Sequence, residues 1–396
     1  MHDLVILAGG TGSRLKKINI NKLPKPLLKV KNKTFLDYLI SNISKFSFNK
    51  IYIIAGYKGY LIKKKFHNKV KNFEKIQVIK EIFPMGTGGA LNAIKHKITK
   101  NFFLINGDTI FDININELSK IKMNNIVGIM ALSNSLSYKN NTKLTKLNIR
   151  SNKEIFFDSN SKFFNGGTYF LNKRIFKYIP KKNSSLENDI LPNLIKKRFI
   201  KGIKFNNFFI DIGTPKNYLY AQKIIPKYFL RPAAFLDRDG VINYDYNYVY
   251  KIKNFKFRPR VINSLSYLNK KKFYSFIVTN QAGIAKGMFS KNDFIKLHKK
   301  IKKILLKKNI FLHDVKFCPF HEDGIIKKYK KKSLYRKPGN LMIRSIQRDW
   351  LIDFKKSFMI GDQKIDEICA KKSNLYFEYV KKNTYQQIKN LTNKFI

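Results

Sequence analysis

Two aspartates stand two residues apart, directly after an apolar segment in the second half of the chain. Asp237 and Asp239 follow the run Ala233–Leu236 and precede Gly240. Such a pair can hydrolyse a phosphate ester, with one carboxylate as the nucleophile that forms an aspartyl-phosphate and the other as acid and then base. Two close anions beside a phosphate need Mg²⁺ to offset their charge. Taken alone, an Asp-x-Asp-Gly sequence is more often a plain turn or a calcium-type loop than a catalytic pair.

Later segments supply the other groups that this chemistry requires. The apolar run Phe273–Val278 leads to Thr279 and Asn280, whose hydroxyl and amide can hold phosphoryl oxygens. Arg336 and Lys337 offer cations that would balance the carboxylates.

A further acid follows the apolar run Phe358–Ile360, where Asp362 stands four residues before Asp366. The chain therefore presents a nucleophile strand, a hydroxyl strand, a lysine and an acid strand in that order.

The first half of the chain also begins with an apolar segment that runs into a polar turn. Leu4–Ala8 leads into a glycine-rich turn, and Arg14 follows it. The residues of the turn are Gly9, Gly10, Thr11 and Gly12. Glycines let backbone N–H groups approach phosphates closely. The turn is neither a dinucleotide fingerprint, because Leu15 stands where the third small residue belongs, nor a P-loop, because no Gly-Lys-Ser/Thr follows.

Two more segments suit phosphate binding. Lys25 lies between Pro24 and Pro26, which fix the backbone around it. Gly86 and Gly88 belong to a second glycine-rich turn that enters a helix.

Two aspartates of the first half end apolar segments. Asp108 follows the run Phe102–Ile105, and Asp211 precedes a Gly-Thr-Pro sequence. Carboxylates at the carboxyl ends of strands lie where open α/β sheets bind ligands. Together they could hold Mg²⁺ against a triphosphate. Asn165 and Gly166 lie between them in sequence and are further candidates for substrate binding.

Residues 1–225 resemble the sugar-1-phosphate nucleotidyltransferase family, in particular its heptose-1-phosphate guanylyltransferase branch. The motifs that carry the resemblance are LAGGTGSRL, LPKPLLKV, GTGGAL, NGDT, NGGTYF, SLENDILP and FIDIGTP. The resemblance implies attack of a sugar-1-phosphate oxygen on a nucleotide α-phosphate with release of diphosphate. It also implies that Arg14 and Lys25 neutralise phosphates, that Asp108 and Asp211 bind Mg²⁺, and that Glu187 lies beside the sugar.

One departure concerns the lysine that many members of this family place on the sugar phosphate, in a Glu-Lys pair before the Asn-Gly-Gly motif. Here that stretch is Phe157–Lys162. Either Lys162 substitutes for the family's lysine or the site is weakened.

Residues 233–380 resemble the haloacid-dehalogenase phosphatases, in particular the heptose 1,7-bisphosphate phosphatases and the neighbouring histidinol-phosphate phosphatases. The motifs are FLDRDGVIN, VTNQAGIAKG, CPFH, RKPG and GDQKID. The resemblance implies that Asp237 is the nucleophile and Asp239 the acid and base. It further implies Mg²⁺ on Asp237, Asp362 and the backbone carbonyl of Asp239, with Arg336 and Lys337 on phosphate.

Many members of this second family also carry a zinc site made of Cys-x-His and Cys-x-Cys. Cys318 is present here, but His321 stands one position late, and Ser333 and Tyr335 occupy the second pair. Two ligands cannot complete a tetrahedral site, so we expect no zinc.

Apolar segments alternate with helix-length polar segments throughout, which predicts an α/β protein. We expect two Rossmann-like domains, the first with the mixed sheet of the nucleotidyltransferases and the second with the parallel sheet of the dehalogenase-type phosphatases. The expected bounds are 1–225 and 233–396, with a linker at 226–232 that Pro226 and Pro232 bracket.

The composition is strongly basic, with 80 Lys and Arg against 25 Asp and Glu and a net charge of +55. This charge would suit nucleic-acid binding, but the lysines are spread along the whole chain, as a genome-wide codon bias would also produce. We therefore expect no nucleic-acid partner. No apolar run nears the roughly 18 residues of a membrane span, so we expect no membrane partner either. Two cysteines and no signal peptide favour the cytoplasm.

The expected function is a bifunctional enzyme that removes the 7-phosphate of heptose 1,7-bisphosphate and transfers a nucleotide, GMP from GTP, to the resulting heptose 1-phosphate. Its partners would be sugar phosphates and a nucleoside triphosphate, with homo-oligomerisation left open. One alternative is a histidinol-phosphate or other small-phosphate phosphatase joined to a different sugar nucleotidyltransferase. A second is a basic nucleic-acid-binding protein on a retired enzyme scaffold, which the intact acids at Asp237, Asp239 and Asp362 disfavour.

Overall fold

The protein is described by a computed structural model that covers residues 1–15, 18, 22–71, 73–135 and 145–396. The chain divides into two compact units. One comprises residues 1–42 and 48–225, and the other comprises residues 43–47 and 226–396. In the described part of the chain, no helix combines the length and the apolar character needed to cross a bilayer.

The first unit is built on a mixed sheet. The strands of this unit are β1 Asp3–Leu7, β2 Lys29–Val30, β3 Lys33–Thr34, β4 Ile51–Ala55, β5 Val70–Lys71, β6 Glu74–Lys80, β7 Phe102–Asn106, β8 Thr109–Phe111, β9 Gly128–Ser133, β10 Lys146–Ile149, β11 Ile155–Phe157, β12 Phe163–Leu171, β13 Ile200–Phe205 and β14 Phe209–Asp211. Strands β2 and β3 form one separate pair and β8 and β14 another, and the other strands form the mixed sheet. Its helices are α1 Phe35–Ile43, α2 Gly59–Phe66, α3 Gly86–Gly89, α4 Asn116–Ser119, α5 Leu191–Lys196 and α6 Pro215–Phe229, which extends past the boundary of the unit.

Strand β1 lies at the centre of this sheet, parallel to both β4 and β7. All five of its residues are buried, because a parallel strand in the middle of a sheet is covered on both faces. Strand β12 runs antiparallel to β7, and its pairing with β9 shifts register between Asn165 and Tyr169. This bulge turns the backbone of the Asn-Gly-Gly motif away from regular pairing.

The second unit contains a fully parallel five-stranded sheet with the order β17-β16-β15-β18-β19. Its strands are β15 Ala233–Leu236, β16 Tyr274–Asn280, β17 Asp314–Cys318, β18 Phe358–Gly361 and β19 Tyr376–Tyr379. Its helices are α7 Val261–Lys270, α8 Ala282–Ala285, α9 Lys291–Lys307, α10 Leu341–Asp349, α11 Lys364–Lys371 and α12 Thr384–Phe395. The expectation of two Rossmann-like α/β folds, one mixed and one parallel, is therefore confirmed.

The segment expected to link the two domains is shorter than the prolines indicate. Helix α6 continues through Pro226 to Phe229, and β15 begins at Ala233. Pro226 lies in the last turns of the helix, and the N–H of Leu230 donates to its carbonyl. Proline is disfavoured within helices, but Pro226 does not end α6. Pro226 therefore indicated roughly where the two domains meet, but not where the helix ends.

Helix α9 is the longest helix of the second unit and begins with a capping box. The Ser290 hydroxyl accepts a hydrogen bond from the Asp293 N–H, and the Asp293 carboxylate accepts one from the Ser290 N–H at 3.0 Å. Both contacts satisfy N–H groups that a helix start leaves without partners.

We expect Ser290→Ala to lower the free energy of unfolding of the second unit by about 1 kcal/mol, because it removes this N-cap. Ser290→Asn is the matched control, since asparagine also accepts from the first helical turn. Urea titrations followed by circular dichroism would measure the difference. Equal stability of the alanine and asparagine variants would contradict the assigned role of the cap.

Candidate functional site

The carboxyl ends of three neighbouring strands of the parallel sheet carry the residues expected to act on phosphate. Asp237 follows β15, Thr279 lies near the end of β16, and Asp362 follows β18. Because β15 pairs with both β16 and β18, the three residues meet at one edge of the sheet. This edge is where open parallel sheets place their ligands.

Lys337 joins two of the acids at this edge. Its ammonium lies 2.8 Å from the Asp237 carboxylate and 2.5 Å from that of Asp366, and all three side chains are buried. The carboxamide of Asn280 fixes this lysine by accepting from the Lys337 N–H at 2.9 Å and donating to the Lys337 carbonyl at 3.0 Å. The side chain of Asn280, expected to hold phosphate oxygens, is thus engaged with the backbone of Lys337.

The three acids Asp237, Asp362 and Asp366 bring ligand oxygens within 4.8 Å of one another. Burial is the largest influence on Asp237 and raises the pKa of its carboxyl to about 7, against the opposing charge of Lys337. Burial, followed by the charge of Asp366, also raises the pKa of Asp362. Both shifts have burial as their main cause, because a buried carboxyl group is less stable in its charged form.

The geometry beside Asp362 fits a divalent cation. Its Oδ1 atom is buried and has no hydrogen-bond partner among the described residues. Gly240, at φ 79°, leaves room here, because a Cβ atom on it would lie 2.2 Å from the other Asp362 oxygen. Clustered carboxylate oxygens suit a hard ion such as Mg²⁺. Asp237 and Asp362 are thus the residues that could hold the metal.

Asp239 is held beside this cluster by an arginine from its own turn. The Arg238 guanidinium approaches both Asp239 carboxylate oxygens through Nε at 3.0 Å and through Nη2 at 2.7 and 2.6 Å. Asn243 donates to the same carboxylate at 2.9 Å and Gln281 at 3.0 Å. Gln281 also donates to the Thr279 hydroxyl, which connects Asp239 with the end of β16.

Arg336 and the loop before it complete the surroundings. The Nη1 atom of Arg336 is buried with no partner in the described part of the chain, and burial lowers the pKa of this guanidinium. A half-buried guanidinium with such an atom suits an anionic ligand. At the end of β17, Cys318 is buried beside the Phe320 carbonyl, and in the loop that follows His321 Nδ1 accepts from the Asp323 N–H. The expected lack of zinc stays a prediction.

The first unit contains a cavity of about 810 Å³ in front of the carboxyl ends of β1 and β7. The predicted residues that line it are Gly9, Gly10, Thr11, Arg14, Lys25, Gly86, Asp108, Asn165, Glu187 and Asp211. Gly12, Gly88 and Gly166 do not appear among the lining residues. A Cβ atom on Gly88 would meet Ile190, and one on Gly166 would meet the Phe111 ring, so these two glycines serve close packing instead.

The two aspartates of this cavity are brought together by a short antiparallel pair of strands. Asp211 ends β14 opposite Thr109, the residue after Asp108. Lys25 donates to the Asp108 carboxylate at 2.7 Å, while Asp211 accepts from the Gly213 N–H at 2.6 Å and from the Asn217 amide at 3.0 Å. Lys25, expected to neutralise phosphate, thus contacts one of the two acids, and the expected roles of Lys25, Asp108 and Asp211 stay predictions.

Glu187 lies in the same cavity and is oriented from two sides. The Thr87 hydroxyl donates to one carboxylate oxygen at 2.6 Å, and the Asn106 amide donates to the other at 3.2 Å. Asn165 donates to the buried hydroxyl of Tyr169 at 2.7 Å, which fixes the bulge of β12. These contacts build a polar wall from separate segments of the chain.

The region of the departure before the Asn-Gly-Gly motif is only partly in contact with the cavity. Phe157 lines it, but Lys162 is exposed and is not among the lining residues. The geometry therefore gives no support for Lys162 as the substitute for the family's lysine.

Several residues of both sites were given no role from the sequence. They are Arg238, Gln281, Asp366, Thr87 and Glu81. Asp366 was noted in the sequence as the acid four residues after Asp362, and the structure places it at a helix start beside Lys337. Glu81 lines the cavity, and burial raises the pKa of its carboxyl. No sequence signal distinguished Gln281 or Thr87, since each acts through a partner distant in sequence.

The comparisons with known proteins match the two units of the chain to two different families. The family model of nucleotidyl transferases matches residues 4–227, and that of the polynucleotide kinase 3 phosphatases matches residues 237–391. A D-glycero-beta-D-manno-heptose-1,7-bisphosphate 7-phosphatase of Rhodopseudomonas palustris is 41% identical over 145 residues, which are 37% of this chain and 81% of that protein.

For the first unit, a D-glycero-alpha-D-manno-heptose 1-phosphate guanylyltransferase of Campylobacter jejuni is 31% identical over 220 residues, which are 54% of this chain and 96% of that protein. The crystal structure of HddC from Yersinia pseudotuberculosis has 28% identity and a TM-score of 0.48, and the match covers 57% of this chain and all of that one. The chain thus belongs to the nucleotidyl transferase family and carries, in its second half, a phosphatase of the family that includes the heptose-bisphosphate phosphatases.

Proposed function

We propose that the chain catalyses two consecutive steps in the synthesis of a nucleotide-activated heptose. The second unit would remove the 7-phosphate of heptose 1,7-bisphosphate, and the first would transfer GMP from GTP to the heptose 1-phosphate that results. The observation that carries this proposal is the presence of two separate acid clusters at strand ends, each with its own lysine, in a chain whose halves match these two families.

In the phosphatase reaction, Asp237 would attack phosphorus and form an aspartyl-phosphate while the bond to the sugar oxygen breaks. Asp239 would give a proton to the leaving sugar oxygen and later take one from the water that releases phosphate. Lys337 neutralises Asp237 from within the fold, and the unpaired Arg336 would bind the phosphate or its neighbour on the sugar. Mg²⁺ held by Asp237 and Asp362 would offset the negative charge that gathers as phosphate enters.

In the transferase reaction, the sugar 1-phosphate oxygen would attack the α-phosphate of GTP and diphosphate would leave. Arg14 and Lys25 line the cavity and would neutralise phosphate charge, while Asp108 and Asp211 would hold Mg²⁺. Glu187, fixed by Thr87 and Asn106, would accept hydrogen bonds from sugar hydroxyls. This chemistry depends mostly on positioning and on charge neutralisation, which such a lined cavity can supply.

Because the two reactions would use separate sites, they should be separable by mutation. We expect Asp237→Asn to reduce phosphate release from heptose 1,7-bisphosphate at least about 10³-fold, since the amide cannot form the acyl phosphate. Transfer of GMP to supplied heptose 1-phosphate should continue at the wild-type rate. Phosphate and diphosphate assays on the same preparation would measure both. Loss of both activities in a folded variant would contradict two independent sites.

The reciprocal change tests the first unit. We expect Asp108→Asn to lower diphosphate release about 10²-fold or more, because it removes a carboxylate that would hold the metal and leaves Lys25 without its acid. Phosphate release from the bisphosphate should be unchanged. Asp112→Asn is a control on the same segment, since Asp112 does not line the cavity. Equal effects of the two substitutions on transfer would count against the role of Asp108.

The order of the two steps also constrains which anomer of the heptose phosphate the chain would use. Hydrolysis at C7 leaves the configuration at C1 unchanged, so both units must use the same anomer for the steps to be consecutive. The phosphatase relative carries the beta anomer in its name and the transferase relative the alpha anomer. We propose that this chain acts on the alpha anomer at both sites.

With the alpha bisphosphate, GTP and Mg²⁺, the purified chain should release phosphate first and diphosphate afterwards. With the beta bisphosphate, diphosphate should not form, whatever the rate of phosphate release. Time courses of both products, resolved by anion chromatography, would check this. Diphosphate appearing before phosphate would disprove the order, and diphosphate from the beta anomer would disprove the shared preference.

A further inference from the structure

Arg238 is a buried cation that the proposed mechanism does not use. Its side chain is fully buried, whereas 21% of the Asp239 side chain is exposed. Arg238 stands between Asp237 and Asp239 in sequence, and its side chain contacts the carboxylate of Asp239. Its Nη2 atom also donates to the Val249 carbonyl at 2.9 Å. A guanidinium without solvent is costly unless ion pairs and hydrogen bonds compensate it. The ion pair with Asp239 and the hydrogen bond to Val249 supply this compensation at Nε and Nη2, while the buried Nη1 atom has no hydrogen-bond partner among the described residues.

Helix α9 closes the pocket around this arginine. The Arg238 guanidinium lies 5.6 Å from the centre of the Phe294 ring, and Phe294 in turn packs on His298 at 4.3 Å. Burial, followed by the charge of Arg238, lowers the pKa of His298 well below its usual range, which keeps this neighbour neutral. The pocket therefore offers Arg238 one anionic contact, the Asp239 carboxylate, among the hydrogen bonds described for it.

The contacts with Asp239 determine the plane of its carboxylate. A planar guanidinium that approaches both oxygens through two nitrogens fixes the carboxylate in position and in rotation. Asn243 and Gln281 add one donor to each oxygen from other directions. A lysine could match the charge but not the two-nitrogen geometry.

From this arrangement we infer that Arg238 is a positioning residue for the phosphatase reaction, which holds Asp239 at the angle from which it passes its proton. The inference rests on the proposed phosphatase function. In the first step, the bond between phosphorus and the sugar oxygen breaks as Asp237 bonds to phosphorus, and the proton of Asp239 goes to that oxygen. In the second step, water bonds to phosphorus, its proton goes to Asp239, and Asp237 is released.

The test compares two phosphate esters that differ in their need for a proton. The sugar oxygen of heptose 1,7-bisphosphate is a poor leaving group that requires protonation, whereas the nitrophenolate of p-nitrophenyl phosphate leaves without it. We expect Arg238→Met to lower kcat for the bisphosphate about 10²-fold or more, the usual contribution of a general acid. Formation of nitrophenolate in the first turnover should fall at least about 10-fold less.

With p-nitrophenyl phosphate, the variant should also show a burst of nitrophenolate and accumulate acid-stable phosphorylated protein, because the second step needs Asp239 as a base. Arg238→Lys should recover only part of the loss and therefore tests the two-nitrogen geometry in a variant that keeps the charge. Arg344→Met, on the exposed face of α10, is the matched control and should leave both esters unaffected.

Equal losses on the two esters, or full activity of Arg238→Lys, would overturn the inference. If Arg238→Met does not fold, the ratio of the two esters in Arg238→Lys decides the question by the same criterion. Transfer of GMP to heptose 1-phosphate, measured on every preparation, reports whether the rest of the chain is intact. Wild-type protein that hydrolyses neither ester would refute the proposed phosphatase function itself, a result distinct from failure of the positioning role.

Discussion

The buried contact of Lys337 with Asp237 and Asp366 is the constraint on which the phosphatase site depends. Carboxylates at the ends of buried strands lose their hydration, and their mutual repulsion adds to that cost. One ammonium placed between two of them offsets part of this charge, while burial, the main cause, still raises the pKa of Asp237 and of Asp362. In the proposed reaction, a bound phosphate would add further negative charge, which a divalent cation on these acids would offset.

The same principle organises the first unit with different residues. Lys25 contacts Asp108, and backbone and amide donors from Gly213 and Asn217 satisfy Asp211. The lysine comes from a single helical turn that begins after Pro24, so the two prolines around it hold a cation against an acid from another strand end. Positive charge is delivered from outside the strands in both units, whereas Asp108, Asp211, Asp237 and Asp362 lie at or beside strand ends and Asp366 lies at the start of α11. This division lets the sheet fix the distances between acids.

Much of this arrangement was predictable because it follows from short-range rules. The apolar run Ala233–Leu236 forms a strand with those bounds, and the acids that follow β15 and β18 meet at the sheet edge as parallel pairing requires. Contacts between distant segments were not predictable in this way. Asn280 belongs to the quoted motif VTNQAGIAKG and was expected to hold phosphate oxygens, yet its side chain fixes Lys337 in a loop 57 positions later. Chemistry-bearing residue types reveal a site, but their partners depend on the tertiary structure.

The cavity of the first unit has few cationic side chains to neutralise the phosphates that it would bind. In the described part of the chain, the cationic side chains that line it are Arg14 and Lys25, and Lys25 already contacts Asp108. A substrate pair of a triphosphate and a sugar phosphate brings more negative charge than two cations can offset. The acids Asp108 and Asp211 add to that excess unless a divalent metal joins them. Under the proposed function, the missing lysine before Asn165 would leave Arg14 and a divalent cation on the two acids to neutralise the sugar phosphate, so a transferase of this kind would depend more on its metal than a relative that keeps the lysine.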